Sequence, residues 1–257
     1  MILAAQAIGA SAIKIINNTT ELKVHSRFNK GFNVVDKDDN LIFIGTTENG
    51  MFPFGVVVDA YTRDQLLASV SVGQTLKVRP TALAFDRHLQ LSLNAEVYKG
   101  SQNFEQADVN ALKSNIQAFD FSEYADGDFD KAKILSVYEA LSNPHGDAKS
   151  ELTYLIGRGQ GLTPSGDDIL VGLLFIHFIQ PFITKAHMAQ IEQLVSQPLT
   201  TLVSQTFLSY AIQGIFSSRL TDLMEDASQS TLKQLLQVGS SSGKDTLYGM
   251  YTALLKE

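Results

Sequence analysis

No cysteine occurs among the 257 residues. Disulfides, thiolate metal sites and a cysteine nucleophile are therefore excluded, and the redox compartment is left undetermined. Tryptophan is also absent, and there are only five histidines: His25, His88, His145, His177 and His187. None of them falls at H-x-x-x-H or H-E-x-x-H spacing, which argues against a zinc hydrolase of the familiar kinds. His177 sits in an apolar run and is expected to be a packed core residue.

Positive charge is scarce as well. Twenty Lys and Arg face 27 Asp and Glu, for a net charge of −7 and a pI near 5.2. The chain has no global attraction for nucleic acid or an anionic membrane, so any anionic ligand must be met by a local site. Long apolar runs are missing too. The uncharged apolar stretch at residues 169–184 contains His177, Gln180 and Pro181 and is too short to span a bilayer. Residues 1–13 are uncharged but lack the positive n-region of a signal peptide. A cytoplasmic protein with neither nucleic-acid nor membrane partners is the expectation.

What is present is an ordinary globular composition, 44% hydrophobic and 18% charged, in a chain long enough for one large or two small domains. Residues 11–98 carry short β-branched or alternating runs bounded by turn formers, at 12–16, 22–25, 32–35, 41–44, 54–58, 75–78, 82–85 and 89–93. A brief helix fits at 59–71. From residue 103 the period changes to helical spacing, with helices expected at 104–119, 129–141, 147–156, 165–179, 184–196, 200–216, 221–225, 228–238 and 242–255. The predicted fold is α+β: a mainly antiparallel barrel or sandwich over 1–102, then an all-helical domain over 103–257. Residues 120–130 read as a linker, and Asp126-Gly127-Asp128 within them as a solvated turn.

Two stretches of the helical half share one pattern. Ser165-Gly166-Asp167-Asp168-Ile169-Leu170-Val171-Gly172 and Ser242-Gly243-Lys244-Asp245-Thr246-Leu247-Tyr248-Gly249 both read S-G-x-D-x-L-x-G. Ser165 with Asp168, and Ser242 with Asp245, fit a helix capping box. Capping does not explain the shared Leu and Gly further on, nor the alternating Gly157, Gly159 and Gly161 ahead of the first copy. Such glycines let a backbone turn tightly and present its N–H groups, and helix starts attract anions.

If the two helix starts meet, they form a two-sided anion cradle. Its binding groups are Gly159, Gly161, Thr163, Ser165, Gly166, Asp168, Ser242, Gly243 and Asp245, and it carries the cations Arg158 and Lys244. Asp167, with no acidic counterpart in the second copy, is the candidate for orienting an amine or holding Mg²⁺ through water. Asp167 and Lys244 are thus the catalytic candidates, and no direct metal-ligand set is identified. Neither a Walker A loop nor a dinucleotide fingerprint fits. Thr200, Thr201, Ser204 and Gln205 supply either a pocket wall or a helix cap. Residues 49–55, with Phe52 and Phe54 around Pro53, either close a pocket or pack between domains.

The run from Gly159 to Asp168 with Gly172, the segment from Gly239 to Asp245, and Pro53-Phe54-Gly55 resemble a bacterial family that includes the AllH-type subunit of the oxamate carbamoyltransferase of anaerobic allantoin breakdown. The likeness runs from about residue 40 to the C-terminus. Family members often carry His after the glycine of the second motif, where this chain has Ser240, a departure that tells against proton transfer at that position. The resemblance implies a subunit working with larger partners, one of them acyl-CoA-synthetase-like, in reversible carbamoyl transfer between oxamate and phosphate through carbamoyl phosphate. The alternative is a non-catalytic regulatory subunit that binds a phosphate or carboxylate metabolite.

Overall fold

The computed structural model describes residues 1–100 and 104–256. The chain divides into two compact units, Met1–Ser101 and Gln102–Glu257. The expected boundary at 102/103 lies outside the described residues.

The first unit is one curled ten-stranded mixed sheet. Its strands and helices run β1 (Ile2–Ala4), β2 (Ala7–Gly9), α1 (Ala10–Asn17), β3 (Glu21–Phe28), β4 (Gly31–Val35), β5 (Leu41–Gly45), β6 (Gly55–Val57), α2 (Ala60–Ser69), β7 (Thr75–Arg79), β8 (Ala82–Ala84), β9 (Gln90–Ser92) and β10 (Glu96–Tyr98). The order across the sheet is β1-β9-β8-β7-β3-β4-β5-β6-β2-β10. Most pairings are antiparallel, but β1–β9, β5–β6 and β2–β10 are parallel.

Connectivity forces the curl. Only Ala5 and Gln6 separate β1 from β2, yet these strands lie toward opposite ends of the order. Ala5 N–H donates to Ser92 O of β9 (2.9 Å) and Gln6 N–H to Val57 O of β6 (2.8 Å), so consecutive residues reach both ends. The inward side chains, among them Leu22, Val34, Ile42, Ile44, Val56 and Leu91, form a core at or below 1% exposure.

One expected strand is a helix. Residues 12–16 lie within α1, whose start is capped from a distance: Pro53 O accepts the N–H groups of Ser11 and Ala12. A Cβ on Gly9 would lie 2.0 Å from that carbonyl, so glycine alone permits the approach. This is the role the structure gives to the loop around Pro53.

The second unit contains α3 (Val109–Ile116), α4 (Lys131–Ser142), α5 (Lys149–Leu155), α6 (Ser165–Ile179), α7 (Lys185–Val195), α8 (Leu202–Ala211), α9 (Ser218–Glu225), α10 (Gln229–Leu235) and α11 (Ser242–Leu254). Beyond the Asp167-Asp168 pair of its first turn, helix α6 is apolar on every side up to Ile176, and it is buried from Gly166 through Ile176, as a central helix must be. It packs chiefly on α11. Residues 120–130 do not form a linker, because Tyr124 is buried and donates to Asp245 Oδ1 at 2.7 Å. His177 is half-buried and closes the end of α6, its Nδ1 accepting from Phe182 N–H (3.0 Å) and Ile183 N–H (2.9 Å). Burial lowers its pKa.

Candidate functional site

The two S-G-x-D-x-L-x-G copies are halves of one duplicated element. In each, a short helix (α5 or α10) ends at a leucine and turns through a positive-φ glycine (Gly159 or Gly239), and a long helix (α6 or α11) begins at the motif serine. A Cβ on Gly166 would sit 2.0 Å from Leu155 O, and one on Gly243 would sit 1.9 Å from Leu235 O. Gly166 N–H donates to Arg158 O, and Gly243 N–H to Val238 O. The second motif residue is glycine in both copies because the preceding helix lays its last carbonyl on it.

The eighth position has the same logic. A Cβ on Gly172 would meet Thr246 O at 2.1 Å, and one on Gly249 would meet Ile169 O at 2.2 Å. Each terminal glycine thus faces the carbonyl of the fifth residue in the other copy, which is a pseudo-twofold crossing. The crossing brings the helix starts together: Thr163 Oγ1 and Ser242 Oγ are 2.7 Å apart.

The capping-box expectation is corrected. The N-caps are Pro164 and Ser241, neither start has a side-chain cap, and Ser165 and Ser242 are the first helical residues. By contrast α3, α4, α7, α8 and α10 each start with a capping Asp, Thr or Ser. Instead of reaching back, Asp168 and Asp245 are buried at 8% and 2% exposure. Burial raises the Asp168 pKa well above the usual carboxylate range; hydrogen bonds from Ser242 and Thr163 oppose this, while the Asp245 and Asp167 charges add to it.

Adjacent residues of a helix diverge by about 100°, so Asp167 faces elsewhere. Its Oδ1 accepts from Gly157 N–H (2.8 Å), and its Oδ2 from the hydroxyls of Ser204 (2.7 Å) and Thr200. Burial raises its pKa, and these three bonds work against the rise. Both oxygens are engaged, tying the glycine turn and the start of α8 to α6. Thr201 caps α8 and donates to Leu162 O. Sequence reasoning noted Thr200 and Ser204 without their partner, and it missed Tyr124, for which no local signal existed.

The cations are engaged at the surface. Arg158 pairs with Asp128 (3.3 Å), donates to Tyr154 O and stacks on the Tyr154 ring; Lys244 pairs with Glu123. The loop between them is open: residues 159–162 are exposed. Gly157, Gly159 and Gly161 have φ of 77°, 124° and 86°. A Cβ on Gly159 would lie 2.5 Å from Ser165 N, so the loop folds back over the helix start only with glycine there. Among the described residues, no acceptor meets the N–H groups of 159–163. No group of three or more His, Asp or Glu suited to a metal occurs among the described residues, and no helix there is long and apolar enough to cross a membrane.

These features define a two-unit α+β protein whose helical half is organised on a doubled glycine-turn helix start. The chain belongs to the AllH family: residues 155–254 match the model described as oxamate carbamoyltransferase subunit AllH, and residues 4–99 match the AllH family N-terminal domain. The first match begins at Leu155, whose carbonyl seats on Gly166, and takes in both motif copies. A subunit family implies partner subunits. No solved structure matches the chain.

Proposed function

We propose that the chain acts within an oxamate carbamoyltransferase-type complex by presenting the paired helix starts to the anionic groups of oxamate, phosphate and carbamoyl phosphate. The observation that carries this is the 159–163 loop, exposed over 159–162, whose amides lack acceptors among the described residues and which is stitched to the second helix start by Thr163 and Ser242. Fixed amides and hydroxyls suit a transfer in which charge develops on carbamoyl and phosphate oxygens, because they need no reorganisation as the charge appears. Ser165, Gly166, Ser242 and Gly243 shape the two starts.

Arg158 and Lys244 are partly exposed. Surface ion pairs of their kind contribute about 0–1 kcal/mol, so a substrate anion can take either cation from its carboxylate partner. Lys244 is the group offered for charge stabilisation. Asp167 positions the loop and does not touch substrate.

The test is reconstitution with the partner subunits, the acyl-CoA-synthetase-like one among them, and measurement of phosphate-dependent oxamate cleavage. Lys244→Ala is expected to lower turnover about 100-fold. Gly161→Pro, which cannot adopt φ of 86°, is expected to abolish anion binding. Unchanged turnover in both variants would remove the site. Phosphate binding by the chain with no dependence of turnover on either residue would support a regulatory subunit instead.

A further inference from the structure

We propose that the paired helix starts hold a dehydrated alkali cation, sodium or potassium, between the carboxylates of Asp168 and Asp245. The site holds whether or not the chain takes part in carbamoyl transfer. The observation behind it is a pair of orphans: Asp168 Oδ2 and Asp245 Oδ2 are sealed from solvent and accept no hydrogen bond from the protein. Each is the fourth residue of its motif copy, so the pseudo-twofold crossing supplies the same oxygen from both sides. The remaining oxygens are placed nearby: Thr163 Oγ1 and Ser242 Oγ are 2.7 Å apart, and both hydroxyls act to lower the Asp168 pKa. Tyr124 occupies the other oxygen of Asp245.

Three other solutions compete. A proton on Asp168 that bonds Asp245 Oδ2 would satisfy both orphans, and equal Tm in sodium, potassium and choline would favour it. A bridging water satisfies both but carries no charge. The two helix ends contribute about +0.5 each, which offsets roughly one of the two carboxylates, and Asp167 adds a further negative charge to the surroundings. At least one positive unit is therefore wanted. Magnesium is the third candidate, but it keeps several waters of its shell, and oxygens sealed from solvent do not admit a hydrated ion. An alkali cation with carboxylate and hydroxyl oxygens fits both the charge and the ligand type.

Thermal unfolding of the purified full chain, without substrate or partner, tests the proposal in sodium, potassium and choline chloride at equal ionic strength. One alkali chloride should raise Tm by about 3–6 °C for each ten-fold increase above its Kd, and choline should not. Asp245→Asn should abolish the cation-specific rise. Should that variant fail to fold, Thr163→Val and Ser242→Ala keep both charges and should move the titration to higher cation concentration. In thallium-soaked crystals the anomalous peak should lie between the two carboxylates. Equal Tm in all three salts, or thallium bound only elsewhere, overturns the proposal.

Discussion

Replacing Gly172 by Ala adds one methyl at the point where α6 and α11 come closest. That Cβ would lie 2.1 Å from Thr246 O and 2.9 Å from Met250 N, whereas real Cβ atoms essentially never come within 3.0 Å of a neighbour. Both contacts are backbone, so no side chain can move aside, and the helices must separate by roughly 1 Å. A gap of that size forfeits a quarter to a half of each dispersion contact across it. The contacts at stake belong to residues such as Ile169, Leu173, Leu247 and Met250, all at 0% exposure. Overpacking of this kind costs about 3 kcal/mol.

Gly249→Ala meets Ile169 O at 2.2 Å and should cost the same. Because either methyl opens the one crossing, the double variant should lose clearly less than the sum of the two. Urea unfolding followed by far-ultraviolet circular dichroism, read as a double-mutant cycle, measures all three values. Single variants within about 0.5 kcal/mol of wild type, or strictly additive losses, would refute the shared crossing.

Three further outcomes follow from the buried polar groups. Asp167→Ala orphans Gly157 N–H, Thr200 and Ser204 and should destabilise by about 3–5 kcal/mol; Asp167→Asn, which keeps an acceptor for Gly157, should lose much less in the same unfolding assay. Tyr124→Phe keeps the ring stacked 4.0 Å from Tyr248 but removes the donor to Asp245 Oδ1, for a loss of about 1–3 kcal/mol, and a neutral result would show that bond to be dispensable. The folded-state pKa of Asp168 is raised, so between the unfolded value near 3.8 and that raised value the folded state binds more protons and stability falls as pH rises. Asp168→Asn removes this slope, so its Tm should gain on wild type from pH 4 to 8; a constant difference would contradict the burial of a titrating Asp168.

Legibility from sequence followed how local the cause was. Helix α6 was expected at 165–179 and is found there, because Pro164 and Pro181 bracket a long apolar run. Residues 12–16 misled because a short β-branched run reads as a strand, and its helical state depends on a cap from Pro53, some 40 positions away. Strands β1, β2 and β10 are three residues each and exist through pairing that no local pattern announces. The repeated motif was visible but its causes were partly mistaken. Ser and Asp three positions apart satisfy the capping-box pattern, yet the carboxylates turn inward toward the other copy. The unexplained glycine at the eighth position was the sounder clue, since it records the crossing. The role of Asp167 depends on hydroxyls from α8, which sequence spacing could not pair with it.

One electrostatic conflict in the site yields a last prediction. On the proposed function the 159–163 amides receive an anion, while just inside the same helix starts lie two buried carboxylates that repel one. Both compete for the same partial positive charge at the helix ends. A cation between Asp168 and Asp245 resolves the conflict by restoring that charge to the loop, so anion and cation should favour each other's binding. Coupling of this kind is reciprocal and typically 5- to 150-fold. Phosphate titrated calorimetrically into the chain should bind more tightly in the stabilising alkali chloride than in choline chloride at equal ionic strength. The alkali midpoint from thermal unfolding should fall by the same factor when phosphate is present. Phosphate affinity that is indifferent to the cation would separate the two sites energetically, and with them the idea that the buried carboxylates tune the loop. Equal factors in both directions would make the doubled helix start a single anion-and-cation device.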